Sequence, residues 1–187
     1  REIGDRRGEG NSLGNLGNAY AALGETHRAI EFYEQALAIA REIGDRRGEG
    51  NRLGSLGNTY AALGETRRAI EFYEQALVIS REIGDRRGEG NSLGNLGNAY
   101  AALGETRRAI EHYEHALAIA REIGDRRGEG NRLYNLSRAH EQLGDREAAT
   151  KFAVDALVVF EAIQSPLAKN AQAWLEHLRG KSQGSPG

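Results

Sequence analysis

The chain has 187 residues, 39% of them apolar and 28% charged, and a formal net charge of −2. Acidic and basic side chains are finely mixed, so the basic stripe that a phosphate backbone needs is missing and nucleic acid is not an expected partner. No apolar run approaches the roughly 20 residues of a membrane span, no signal peptide is visible, and without Cys there is neither a disulfide framework nor thiolate chemistry. A cytoplasmic location and no membrane partner are the expectations.

The chain opens mid-pattern. Arg1–Arg7 (REIGDRR) repeats Arg41–Arg47, and there is no Met. Residues 1–4 therefore read as the remnant of a preceding repeat, and the chain as a piece of a longer repeat protein. From Gly8 the stretch GEGNSLGNLGNAYAALGETHRAIEFYEQALAIAREIGDRR returns at Gly48 and Gly88 with scattered substitutions, and in divergent form at Gly128, a period of 40 residues. A fixed period of this size predicts a solenoid whose units bury their apolar faces only against one another. Repeats are expected at 5–44, 45–84, 85–124 and 125–164.

Each unit opens on Gly-Asp. Gly4, Gly44, Gly84 and Gly124 suit the left-handed residue that ends a helix, and Asp5, Asp45, Asp85 and Asp125 suit the N-cap of the next. Leu13, Leu16, Tyr20 and Leu23 then recur at steps of three and four, the stripe of a first helix that Gly24 stops. A second helix starts at Glu25 or Thr26 and carries Ala29, Ile30, Tyr33, Ala36, Leu37, Ala40 and Ile43 at helical spacing. So short a connection forces the two helices antiparallel. Gly17, Ala29 and Ala36 supply the small residues that close approach requires.

The fourth unit departs from the pattern: Tyr134 and Ser137 replace glycines, and His140 and Ala153 replace tyrosines. Ser165-Pro166 predicts the start of a capping helix over 165–180, with Leu167, Ala171, Trp174, Leu175 and Leu178 on one face and Trp174 plugging the last hairpin. Residues 181–187 (KSQGSPG) read as a polar flexible tail.

Leu13, Leu16, Gly17, Tyr20, Gly24, Ala29, Tyr33 and Ala36 fit the spacing of the tetratricopeptide signature, and on these residues the chain resembles that family. The signature's Trp is Leu13 here and its late Pro is Arg41, so the second helix runs on and the unit exceeds the usual length of about 34 residues. The phrases EIGDRRGEG and LGNLGNAY resemble the long repeats of Partner-of-Inscuteable-type adaptors and of bacterial signalling proteins and, more distantly, of kinesin light chains. The expected fold is all-α: a right-handed superhelical solenoid of antiparallel helical hairpins with a C-terminal capping helix.

At about 100° per residue, the face opposite the first-helix core stripe carries a ladder of amides fringed by arginines. Its rungs are Arg7, Asn11, Asn15 and Asn18, then Arg47, Asn51 and Asn58. Arg87, Asn91, Asn95 and Asn98 follow in the third unit, and Arg127, Asn131, Asn135 and Arg138 in the fourth. Asn is a poor choice for a helix interior, yet each amide offers donors and an acceptor that suit the peptide groups of an extended chain. The resemblance implies that these first helices line a concave surface, and that asparagines matching Asn18, Asn58 and Asn98 grip ligand backbone. The arginines favour acidic groups. Asn11, Asn15, Asn18, Arg47, Asn51, Asn58, Arg87, Asn91, Asn95, Asn98, Arg127, Asn131, Asn135 and Arg138 are thus the expected binding residues for an extended acidic protein or peptide segment. A solvated polar face copied by repeat duplication is the competing reading. Arg52 and Arg132, where other copies carry Ser, vary beside the ladder.

Other signals are weaker. Gly8, Gly10, Gly14 and Gly17 lack the spacing and the preceding strand of a phosphate loop. His112 and His115 lack a third metal ligand, and His140 reads as a hydrogen-bonded replacement for a core tyrosine. Glu31, Glu34 and Glu42, beside Arg28 and Arg41, read as surface ion pairs. No cofactor, metal or catalytic constellation is expected. The alternatives to a peptide scaffold are a self-assembling spacer, associating through the N-terminal repeat edge, and the sensor array of a larger bacterial signalling protein.

Overall fold

The computed structural model describes residues 3–180; residues 1–2 and the expected tail at 181–187 lie outside them. Among the described residues the chain is all-helical: α1 (Ile3–Ala22), α2 (Thr26–Glu42), α3 (Arg46–Ala62), α4 (Thr66–Glu82), α5 (Arg86–Ala102), α6 (Thr106–Glu122), α7 (Arg126–Gln142), α8 (Arg146–Ala162) and α9 (Ala168–Gly180). They fall into two compact units, divided between Ala99 and Tyr100. In the first, α1 packs on α2, α2 on α3 and α3 on α4; in the second, α6 packs on α7, α7 on α8 and α8 on α9.

The helix ends follow from local chemistry. Gly24 (φ +76°) and Gly44 (φ +69°) take the left-handed conformation that a side chain would resist. The residue after each closes a six-residue loop, Glu25 N–H to Tyr20 O at 2.9 Å and Asp45 N–H to Ala40 O at 2.8 Å, which satisfies carbonyls that the helix leaves over. Asp45 and Asp125 then cap α3 and α7, accepting from the Gly48 and Gly128 N–H groups at 3.0 and 2.9 Å. Two expected helix starts shift. Asp5 lies inside α1, because α1 already runs from Ile3 and no turn separates Gly4 from Asp5. α9 begins at Ala168, because a turn at Ser165 intervenes: its hydroxyl accepts from Leu167 N–H at 3.3 Å and its carbonyl from Ala168 N–H at 3.0 Å.

The core is built from small residues facing large ones. A Cβ on Gly17 or Gly57 would stand 2.5 Å from the ring of Tyr33 or Tyr73, so only glycine lets the tyrosine lie flat on the preceding helix. Leu53, Leu56 and Tyr60 of α3 are fully buried, as are Leu133 and Leu136 of α7. The matching stripe of α1 is not: Leu13 is half-buried and Leu16 is 44% exposed. Leu23, expected in the core, is 71% exposed, and Leu103 and Leu143 at the same place in their helices are exposed too. This position is the first residue past the end of its helix, and Leu63 at the same place after α3 is half-buried.

The acidic groups are arranged differently from the expected surface pairs. Arg28 pairs with Glu25, and Glu42 with Arg6 of α1. Arg41 reaches Glu49 at 2.8 Å; this glutamate is only 7% exposed and also accepts from Arg46. Glu89 and Glu129 repeat the arrangement with Arg81 and Arg86, and with Arg121 and Arg126. The middle glutamate of GEG thus ties one hairpin to the start of the next, a buried carboxylate that would be costly without its two guanidinium partners.

Candidate functional site

The tyrosine of each second helix does more than fill space. Tyr33 O–H donates to Asn18 Oδ1 at 2.8 Å, and Tyr73 O–H to Asn58 Oδ1 at 2.9 Å. Because the glycine one residue before each asparagine admits the ring, the hydroxyl emerges at the helix edge beside the amide. With its oxygen engaged, each amide is fixed with its N–H₂ group as the remaining donor. Asn58 Oδ1 also accepts from Asn95 Nδ2 at 3.1 Å, which links α3 to α5.

These links border a cleft of about 270 Å³ in the first unit, walled by α3 and α5 and lined also by Ile79 and Ser80 in the last turn of α4. Of the expected residues, Arg47, Asn51, Asn58, Asn91 and Asn95 line it. The side chains of Arg47, Asn51 and Asn91 are exposed and make no hydrogen bond or ion pair among the described residues. Asn11, Asn15 and Asn18 stand exposed on α1, and Arg87 and Asn98 on α5, outside this cleft. In the second unit Arg127 is exposed, Asn131 and Asn135 are half-buried, and Arg138 lies over the Trp174 ring at 5.7 Å.

Sequence reasoning missed Ser80, Asp85 and Ser92, which also line the cleft. The signal was present: Ser80 stands where two repeats carry Ala40 and Ala120 and the fourth carries Phe160, and Ser92 where two carry arginine. Burial pushes the Tyr73 phenol up to about 12, with no neighbouring cation to oppose it. Tyr33 is pushed up by burial as well, but Arg52 draws it back.

Among the described residues no group of three or more His, Asp or Glu could hold a metal ion. His112 stacks on Tyr100 at 5.1 Å, while His140 stacks on Phe152 and contacts Asp145 at 3.3 Å. Arg28, Arg68 and Arg108 lie about 4 Å above the rings of Tyr20, Tyr60 and Tyr100, in cation–π contacts. Among the described residues no helix is long and apolar enough to cross a membrane.

The sequence model of the tetratricopeptide repeat family matches residues 8–82, 53–122 and 88–162. The chain belongs to the tetratricopeptide repeat family. No curated protein matches it, but solved structures share its fold. RapI in its apo form superposes with a TM-score of 0.87 at 19% identity, over 94% of this chain and 64% of RapI. A signal-transduction ATPase with numerous domains and a tetratricopeptide repeat sensor, from Pyrococcus horikoshii, gives 0.83 at 23%, over 91% of this chain and 27% of that one. A putative kinesin light chain with nearly identical repeats, from Podosopora anserina, gives 0.72 at 22%, over 94% and 96%. The chain thus spans less than two thirds of RapI and about a quarter of the ATPase, and at these identities the likeness is one of fold.

Proposed function

We propose that the chain is a non-catalytic interaction module that binds an extended acidic peptide segment along the first helix of each hairpin. Membership of the tetratricopeptide family supports a protein-interaction or sensor role in general terms. The observation that carries the finer reading is the cleft between α3 and α5, where Asn51 and Asn91 present amides with no partner among the described residues and Asn58 presents a donor oriented by Tyr73. An amide pair of this kind satisfies one peptide group with a donor and an acceptor. Arg47, Arg87 and Arg127, exposed and without ion-pair partners among the described residues, would meet carboxylates of the ligand through charge-assisted hydrogen bonds. The same ladder positions Asn11, Asn15, Asn18, Asn95, Asn98, Asn131, Asn135 and Arg138 would extend the contact along the ligand.

The test is selection from a random peptide display library. Asn18 and Asn58 are poor probes, because Ala there would strand a tyrosine hydroxyl as well. Asn51→Ala with Asn91→Ala removes only unpartnered amides. Selected peptides should be acidic and should lose roughly tenfold to a hundredfold in affinity for this double variant. The variant itself should be as stable as the native chain or slightly more so, since Ala is the better helix former by up to about 0.7 kcal/mol per site. Unchanged binding would discard the amide ladder as the working surface.

A second reading has its own observation. Leu16, 44% exposed beside the half-buried Leu13 on α1, is an apolar edge through which copies of the chain could associate. Analytical ultracentrifugation across a hundredfold concentration range should then show growth in mass that Leu16→Lys abolishes.

A further inference from the structure

The two grooves flanking α3 are made from corresponding positions and differ in their filling. Arg7, Gly10, Ile39 and Asp45 stand in the α1–α3 groove where Arg47, Gly50, Ile79 and Asp85 stand in the α3–α5 groove. In the first, the guanidinium of Arg52 lies across Gly14, so closely that a Cβ there would overlap it, and about 10 Å³ remains. In the second, the residue corresponding to Arg52 is Ser92. Nothing lies within 4 Å of the Cβ position of Gly54, the counterpart of Gly14, and about 270 Å³ stays open.

The open groove differs from the filled one in a second way. Ser80 replaces the Ala40 of the filled groove. The hydroxyls of Ser80 and Ser92, each in a residue only 6% exposed, line the groove and make no hydrogen bond among the described residues. Both substitutions thus add hydroxyls to the walls that can accept a hydrogen bond as well as donate one. Asp85, whose Oδ1 accepts from Gly88 N–H at 3.0 Å, adds a carboxylate to the lining.

We propose that the α3–α5 groove is a pocket for an arginine side chain of the bound peptide, whose guanidinium takes the place above Gly54 that Arg52 takes above Gly14. This rests on the peptide reading above and names one anchor of that ligand: an acidic segment that carries a single arginine. Five N–H donors in a rigid fork match the uncommitted acceptors of Ser80, Ser92, Asn51 and Asn91 and the charge of Asp85. A carboxylate in the same place would face the carboxylate of Asp85. The state of the tyrosines agrees: Arg52 acts on Tyr33 and Arg132 on Tyr113, whereas no cation acts on Tyr73.

The experiment exchanges the two fillings. A random dodecapeptide library is selected against the native chain, Ser92→Arg and Arg52→Ser. Both substitutions place at one groove the residue that the other carries natively, so both variants should fold, as circular dichroism and thermal melting will verify. The native chain should enrich one arginine at a fixed place among acidic residues. Replacing that arginine by citrulline in the recovered peptide should weaken binding roughly tenfold to a hundredfold. Ser92→Arg should erase the preference while still binding the rest of the peptide, and Arg52→Ser should add a second preferred arginine. Peptides that depend on Asn51 and Asn91 but show no arginine preference would overturn the pocket and leave the peptide reading standing, as would a preference that survives Ser92→Arg. Recovery of no peptide at all would overturn both.

Discussion

The hairpin of α3 and α4 and the hairpin of α7 and α8 solve one packing problem with opposite parts. In the first, Gly57 of α3 faces the large Tyr73, and the tyrosine hydroxyl emerges to hold Asn58. In the second, the glycine has become Ser137 and the tyrosine Ala153. The hydroxyl is now on the first helix and fully buried; it donates to Ala149 O at 2.6 Å and accepts from Trp174 Nε1 at 2.8 Å. Leu175 and Leu178 of α9 pack on Ala149 and Ala153. Helix contact is kept in both, but the polar atom serves a ladder amide in one and anchors the last helix in the other. Substituting both sides of a contact together is what allows the change, since either half alone would leave a clash or a hole.

The largest effect should come from breaking the first pair. Tyr73→Ala should cost about 3–5 kcal/mol in denaturant unfolding, because Gly57 offers no side chain to close the cavity. Adding Gly57→Ser imports the arrangement of the fourth hairpin and should recover part of the loss, a coupling of at least about 0.5 kcal/mol in the double-mutant cycle. Additive effects would mean that the two positions do not compensate each other.

The corresponding break in the fourth hairpin should be smaller. Ser137→Ala leaves the Trp174 indole N–H without its acceptor and should cost about 1–3 kcal/mol. The loss should be local, because Trp174 is the single tryptophan of the chain: its emission should shift to the red as α9 loosens, and amide exchange should accelerate over 168–180 first.

Tyr73→Phe keeps the ring and removes only the hydroxyl. It should cost about 0.5–1.5 kcal/mol and weaken any ligand held by Asn58, whose amide loses its orientation. The mildest expected difference concerns pH. Burial raises the Tyr73 and Tyr113 phenols to about 12, above the ordinary value of about 10. The folded state therefore holds these protons more tightly than the unfolded state. Their contribution is full below about pH 10 and is lost as pH rises from there toward 12. Tyr73→Phe should flatten this alkaline decline, and Ser92→Arg should lower the Tyr73 titration, as Arg52 does for Tyr33; the hairpin that carries Ala153 has no tyrosine at this position to contribute.

The ladder shows where sequence and structure part. Its asparagines were legible because helical periodicity assigns each to the face opposite the leucine stripe. Their bonding was not, since Tyr73 reaches Asn58 and Asn95 reaches it again from a helix 37 residues away. The same holds for Glu49, which in the sequence is one more surface carboxylate and in the fold is buried between two arginines.

What the sequence by itself determined is everything set within a few residues: the 40-residue period, the left-handed glycines, the aspartate caps and the helices between them. These depend on backbone sterics and on hydrogen bonds to near neighbours, which recur at Gly44-Asp45 and Gly124-Asp125, although α1 runs straight through the same pair at Gly4-Asp5. What only the tertiary structure decided is which surfaces stay open. Leu16 and Leu56 share a place in the repeat, yet one is exposed and the other buried, because burial is set by what packs against a helix and not by the helix. Nearly identical grooves are filled or open according to one side chain, Arg52 or Ser92, that crosses to the neighbouring helix. Periodicity records that such a residue varies; its reach and its landing place exist only once the helices are side by side.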